Sequence, residues 1–320
     1  MGPILLAPNT LPSFYAGDGR IAAFRGDPAV PPTDPEDWIA STTPRTGMAP
    51  RGLTHLPDGT LLRDRVAADP TAWLGGVDPS LLVKLLDAGQ RLPLHVHPSR
   101  SFAREHLASP YGKTEAWLVL RADPGAAVHL GFSRDVAEDE LAGWVSTQDV
   151  EAMLGACNLV PVAAGDVLLC PAGVPHAIGA GILVVELQEM TDFSIMLEWT
   201  GFPIVARDVF LGLDQALALS TVDRSALSPP TVTGHPLDTT PGVTSLLPPA
   251  ADPFFRAEQL IPGPGGLILD ARFAIVIIVS GHGTLGPVDV TDGQIWLIPY
   301  AAGPLTLRGE LAAVRCYPGA

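Results

Sequence analysis

The apolar residues of this chain come in short bursts, and those bursts set the first limit on its fold. LLVKLL (81–86), AWLVL (116–120), ILVVEL (182–187), FAIVIIVS (273–280) and IWLIP (295–299) are rich in Val, Ile and Leu and short for core-spanning helices. Turn formers separate them, with 33 prolines and 33 glycines in 320 residues. β-rich runs punctuated in this way predict sheets closed into a barrel or a sandwich. The 47% share of hydrophobic residues supplies a sizeable interior, and the length fits one or two domains.

Two intervals break the rhythm. Residues of about 133–157 are acidic and place Leu141, Trp144 and Val145 at helical spacing, which predicts two short helices inserted between strands, with Ser146 as a cap three residues before Asp149. Residues 228–253 are dense in Pro, Thr and Gly and predict a linker or long connection. Beyond it, DGQIWLIP (292–299) echoes AGDVLLCP (164–171), since each runs Gly, five residues, Pro. The echo predicts a duplicated barrel unit.

Charge narrows the partners. Asp and Glu total 34 against 19 Lys and Arg, a formal charge of −15, and the lysines are Lys84 and Lys113 alone. Nucleic acids and anionic membranes are held by clustered positive charge, so neither is an expected partner. Cys157, Cys170 and Cys316 have no paired spacing and read as small buried hydrophobes in a reducing compartment. No basic leader precedes an apolar run, and no apolar stretch reaches the roughly 18 residues of a membrane span, so a cytoplasmic protein is expected.

The chemistry gathers around GQRLPLHVHPSR (89–100). On an extended strand His95 and His97 share a face while Val96 turns away, which offers two imidazoles to one metal ion. Downstream the chain runs Gly165, five residues, Pro171, one residue, Gly173, two residues, His176. These two patterns resemble the paired motifs of the cupin β-barrels. The segments LLVKLLDAGQRLPLHVHP, YGKTEAWLVL, GDVLLCPAGVPHAIGAGILVVELQE and TDFSIMLEW, in that order, resemble more narrowly the type I mannose-6-phosphate isomerase family over much of 80–200. GQIWLIP is similar to that family's second, metal-free barrel, and EDWIAST (36–42) weakly resembles its N-terminal tryptophan strand.

The resemblance implies an all-β-dominated chain of two cupin-type jelly-roll barrels. A metal-binding domain over 1–225 would carry the helical insertion, and a degenerate metal-free domain would follow over 226–320. It implies one divalent metal ion on His95, His97, Glu115 and His176. Zinc is the family's metal, and this donor set also suits Mn, Fe, Co or Ni. It further implies an aldose–ketose isomerase of carbohydrate metabolism converting mannose 6-phosphate to fructose 6-phosphate or acting on a related sugar. Lys113 and Asp192 match residues of the family's active site. Glu186 and Gln188 share one face of an apolar strand, with Glu186 a further proton handler and Gln188 a sugar contact, while Glu198 and Arg100 are additional substrate-binding candidates. Arg104 and Arg207 are the other cations near the motifs.

The chain also departs from the family. His95 stands where a glutamine is usual, Met196 where an arginine is assigned to catalysis, and Pro93 where a serine is associated with phosphate. Arginine is a permanent cation with a rigid fork of donors, and methionine offers none. Three alternatives therefore stand beside the isomerase of sugar phosphates: an isomerase of unphosphorylated sugars, a non-catalytic sugar-binding cupin, and a cupin oxygenase with redox-active iron or manganese.

Overall fold

The computed structural model describes residues 1–46, 48–228 and 240–319 and the backbone of 233–234. Three antiparallel sheets dominate it. A seven-stranded sheet runs in the order Thr233–Gly234, Asp166–Cys170, Glu115–Ala122, Ile182–Glu189, Leu81–Ala88, Glu36–Ile39 and Thr10–Leu11. A five-stranded sheet runs Ile195–Met196, His95–Val96, His176–Ile178, Ala127–Phe132 and Cys157–Pro161. These two close over one interior. Leu86, Trp117, Val119, Leu168 and Val184 from the larger sheet pack there with Val128, Leu130, Val160 and Ile178 from the smaller.

The larger sheet is covered on both faces, which explains why its strands read as near-continuous apolar runs instead of a clean alternation. Its outward residues Val83, Leu85, Ala116, Leu118, Val185 and Leu187 join a core with Phe255, Ile275, Ile277, Leu297 and Val314. Those partners belong to an eight-stranded C-terminal sheet built on Phe255–Ile261, Ala274–Leu285, Ile295–Ile298 and Leu305–Pro318. That sheet wraps a separate interior of its own, including Leu260, Val276, Ile278, Trp296 and Leu307. Sheet membership crosses position 225 in two places. Ile4–Leu5 pairs with Leu297 and Trp296 in the C-terminal sheet, and Thr233–Gly234 pairs with Val167 and Asp166 in the first barrel.

The echoed segments adopt matching roles. Gly165 (φ 92°) and Gly293 (φ 77°) both occupy the left-handed region just before a strand, which favours glycine. The inserted helices span Glu138–Thr147 and Val150–Ala156, and Leu141, Val145 and Met153 pack on the outer face of the five-stranded sheet. Ser146 does not cap the second helix. Its hydroxyl donates to Ala142 O at 2.7 Å, four residues back, and Asp149 caps instead by accepting from Ala152 N at 3.1 Å. Part of the expected linker, 229–232 and 235–239, lies outside the described residues; 242–245 is a strand on the C-terminal sheet's edge. Among the described residues no helix is long and apolar enough to cross a membrane.

Because one apolar layer joins the two halves, they are expected to unfold together. Phe255→Ala should cost about 3–5 kcal/mol, and denaturant curves followed by tryptophan fluorescence and far-ultraviolet dichroism should shift as one coincident transition.

Candidate metal centre and its pocket

Register brings the four expected ligands together. His176 pairs directly with His95 across two short strands, and Glu115 enters from the facing sheet opposite Gln188 and Cys170. The three imidazoles converge, with ring centroids 4.9 Å apart for His95 and His97, 4.2 Å for His95 and His176, and 4.8 Å for His97 and His176. Glu115 Oε2 lies 3.1 Å from His97 Nε2, and Glu115 Oε1 lies 3.1 Å from His176 Nε2.

The backbone fixes which nitrogens face inward. Nδ1 of His95, His97 and His176 donates to the carbonyls of Pro93 (2.8 Å), Phe193 (2.7 Å) and Val174 (2.8 Å). A carbonyl can only accept, so each Nδ1 carries the proton and each Nε2 presents a lone pair. Burial is the main force holding His95 and His97 neutral, with His97 pushed down to about 3 as Lys113 adds to the effect. Burial alone would raise Glu115, but the Lys113 ammonium and the histidines hold it well below its ordinary range. Neutral imidazoles and an ionised carboxylate are the forms that ligate metal. His176 Nε2 is moreover buried without a hydrogen-bond partner, as expected of an atom meant for an ion.

Cys170 also approaches. Its sulfur lies 3.2 Å from His176 Nδ1, and burial, then Glu115, push its thiol well above the ordinary value. Its sulfur clusters with Glu115 and His176 as a second candidate donor group beside the three histidines. Trp117 Nε1 donates to Glu115 Oε1 at 3.1 Å and fixes the carboxylate's orientation.

A pocket opens over His95 and is lined by Phe14, Tyr15, Glu36, Trp38, Arg45, Lys84, Lys113, Glu186, Asp192 and Ser194. Lys113 Nζ sits 2.9 Å from His97 Nε2 and 3.0 Å from Glu115 Oε2. Lys84 Nζ lies 3.8 Å from Glu36, 3.4 Å from Glu186 Oε2 and 4.6 Å above the Trp38 ring. Burial raises Glu36, yet Lys84, Arg45 and the hydrogen bonds from Trp38 and Ser13 outweigh it and draw its carboxyl down to about 2. Glu186 goes the other way: burial, reinforced by Glu115, lifts it to about 7 despite both lysines. Its Oε2 and the Tyr15 hydroxyl are buried and lack hydrogen-bond partners.

Of the remaining sequence candidates, Asp192 reaches the rim, where its Oδ2 accepts Thr46 N at 2.8 Å and its Oδ1 accepts the Thr46 hydroxyl. Gln188 is fully buried beside Glu115 and donates to the carbonyls of Glu189 and Thr191, outside the pocket lining. Glu198 and Arg100 are not brought to the pocket. Glu198 takes Arg91 in a two-pronged pair (2.7 and 2.6 Å) and accepts Leu94 N at 2.8 Å, which anchors the segment leading into His95. Arg100 pairs with Glu189 and stacks 4.6 Å over Phe254 on another surface. Met196 pairs with His95 in the small sheet and is buried. Tyr15, Glu36, Arg45 and Lys84 are pocket residues that motif reading did not select. Lys84 had a legible signal, as a charge inside an apolar strand.

Fold and centre together define a two-barrel cupin with a three-histidine, one-glutamate candidate metal site. No family model matches the chain. The mannose-6-phosphate isomerase of Streptococcus mutans is 31% identical over 208 residues, covering 64% of this chain and 62% of that protein. Mannose-6-phosphate isomerase ManA of Bacillus subtilis is 35% identical over 117 residues, 37% of this chain and 36% of that one. The matched region thus spans under two thirds of either relative. Among solved structures, mannose 6-phosphate isomerase from Bacillus subtilis superposes with a TM-score of 0.73 at 20% identity, covering 99% of this chain and 100% of the other. A mannosephosphate isomerase described as putative, from Archaeoglobus fulgidus, gives 0.76 at 18% identity, covering 99% and 98%. The chain is thus similar in sequence to mannose-6-phosphate isomerases over part of its length, and it shares the fold of these solved structures over nearly all of it.

Trp117→Phe, which keeps the ring but removes the donor to Glu115, should weaken metal binding about 10- to 100-fold. Competition with a chromogenic chelator measures this, and elemental analysis of wild type should give about one divalent ion per chain.

Proposed function

We propose that this chain is a metal-dependent aldose–ketose isomerase that interconverts mannose 6-phosphate and fructose 6-phosphate. The observation that carries the proposal is a pocket lined by His95 of the candidate ligand set together with two buried lysines and a carboxyl raised towards neutrality. His95, His97, Glu115 and His176 would hold the ion, for which zinc is proposed. When bound, such an ion supplies positive charge to polarise the oxygens at C1 and C2 of the open-chain sugar.

The rest falls to the chain's own side chains. Isomerisation moves a proton between C2 and C1 through an enediol, so it needs a base poised near working pH. Glu186 fits that role best, because it lines the pocket and burial raises its carboxyl towards neutrality. Lys113 is held as an ammonium by Glu115 and Glu186 against the cost of burial, which suits it to stabilise negative charge on the sugar oxygens instead of abstracting protons. Lys84, beside Glu186, balances that carboxylate once it ionises. Trp38 and Tyr15 form walls that limit water. Asp192, occupied by Thr46, serves the rim. The three buried free cysteines are in keeping with a cytoplasmic setting.

The metal-reconstituted protein should interconvert the two sugar phosphates in a coupled assay, and Glu186→Gln should lower kcat by about 10²–10⁴. The base acts ionised, so activity should fall as pH drops through a value no higher than about 7, since the bound cation favours the ionised form. That acid limb should move or vanish in Glu186→Gln. Absence of turnover in the wild type would refute the reading.

A further inference from the structure

We infer that Arg45, positioned by Ser13, is the anchor for the substrate's phosphate at the mouth of the pocket; the inference rests on the isomerase reading. The sequence leaves this role open, because the residues of the resembled family that carry positive charge or contact phosphate are Met196 and Pro93 here. The structure supplies a cation from another part of the chain. Arg45 lines the same pocket as His95, Lys113 and Glu186, but it is half-buried where they are buried, which places it towards the open side.

Its pairing is unusual for an arginine beside so many acids. One Nη donates to Pro12 O at 2.7 Å and the other to Ser13 Oγ at 3.2 Å, so neutral oxygens aim the fork without cancelling its charge. Among the described residues no carboxylate lies within ion-pair distance of it. Asp192, the acid on the same rim, has both oxygens taken by Thr46, the next residue along. Glu36 feels the positive charge, but it is buried against Lys84 and Trp38. Arg45 therefore retains unspent charge and donors, and a planar fork of this kind matches phosphate oxygens. Meanwhile Tyr15 and Glu186 line the same pocket as Arg45 and His95 and offer polar atoms to the hydroxyls of a polyol chain. A ligand with its carbonyl end at the metal, hydroxyls along the middle and an anion at the far end satisfies all of them. That describes an open-chain sugar phosphate better than a free sugar.

The test compares sorbitol 6-phosphate and sorbitol, open-chain analogues that differ in the phosphate, by titration calorimetry on the metal-loaded protein. Wild type should prefer the phosphorylated analogue, and Arg45→Leu should reduce that preference on the order of 10- to 100-fold. Arg45→Lys, which keeps the charge without the fork, should restore part of it. Matching far-ultraviolet dichroism and metal content exclude a folding defect as the cause. A preference left unchanged in Arg45→Leu, or absent from wild type, would overturn the assignment. If the preference depends on Arg45 while mannose 6-phosphate is not turned over, the anchor stands and the isomerase reading fails alone.

Discussion

Charge inside the first barrel must balance, because little water reaches it. Glu36, Glu115 and Glu186 share that space with Lys84 and Lys113, all nearly inaccessible to solvent. A buried ion left without its partner costs about 3–5 kcal/mol, so none of these residues is independent of the others. Burial raises both Glu36 and Glu186, but Lys84, Arg45 and two side-chain hydrogen bonds overcome it at Glu36, whereas at Glu186 the Glu115 charge reinforces burial and the lysines offset only part of it. A divalent cation at the histidines would tip that balance towards ionised Glu186. In the proposed reading, metal loading and the strength of the base would be joined through electrostatics.

This arrangement depends on a sheet used on both faces. Along Leu81–Ala88, Val83 and Leu85 turn to the C-terminal half while Lys84 and Leu86 turn inward. Ile182–Glu189 repeats the division, with Val185 and Leu187 outward and Glu186 inward. The same strands therefore hold the chemistry and fasten the second barrel. A strand slip of one residue would expose lysine to the apolar layer and valine to the pocket, so register is under double constraint. The C-terminal half supports the site by covering the back of the sheet that carries it.

Much of this was legible because short motifs carry their own geometry. HVH and the Gly-Pro-Gly-His spacing pointed to histidines that register then brought face to face, and Gly165 and Gly293 marked equivalent turns in the two barrels. Ser146 failed as a cap because a serine late in a helix can bond back to the preceding turn, whereas Asp149 stood at the next helix's start. Glu198 and Arg100, expected as substrate contacts, lie outside the pocket lining for a different reason. Each lies near the motifs in sequence, but each spends its charge on an ion pair whose partner, Arg91 or Glu189, is identified only by tertiary structure. Arg45 lay in an irregular segment with no periodicity to place it, and nothing short of the folded chain sets it beside His95.

The pairing of Ile4–Leu5 with Trp296 and Leu297 has a bearing on how the molecule is made. On the ribosome the first residues emerge nearly a whole chain length before the strand they join. Until Ile295–Ile298 is made, Ile4 and Leu5 lack the strand they pair with, so this contact is among the most distant in sequence that the fold has to close.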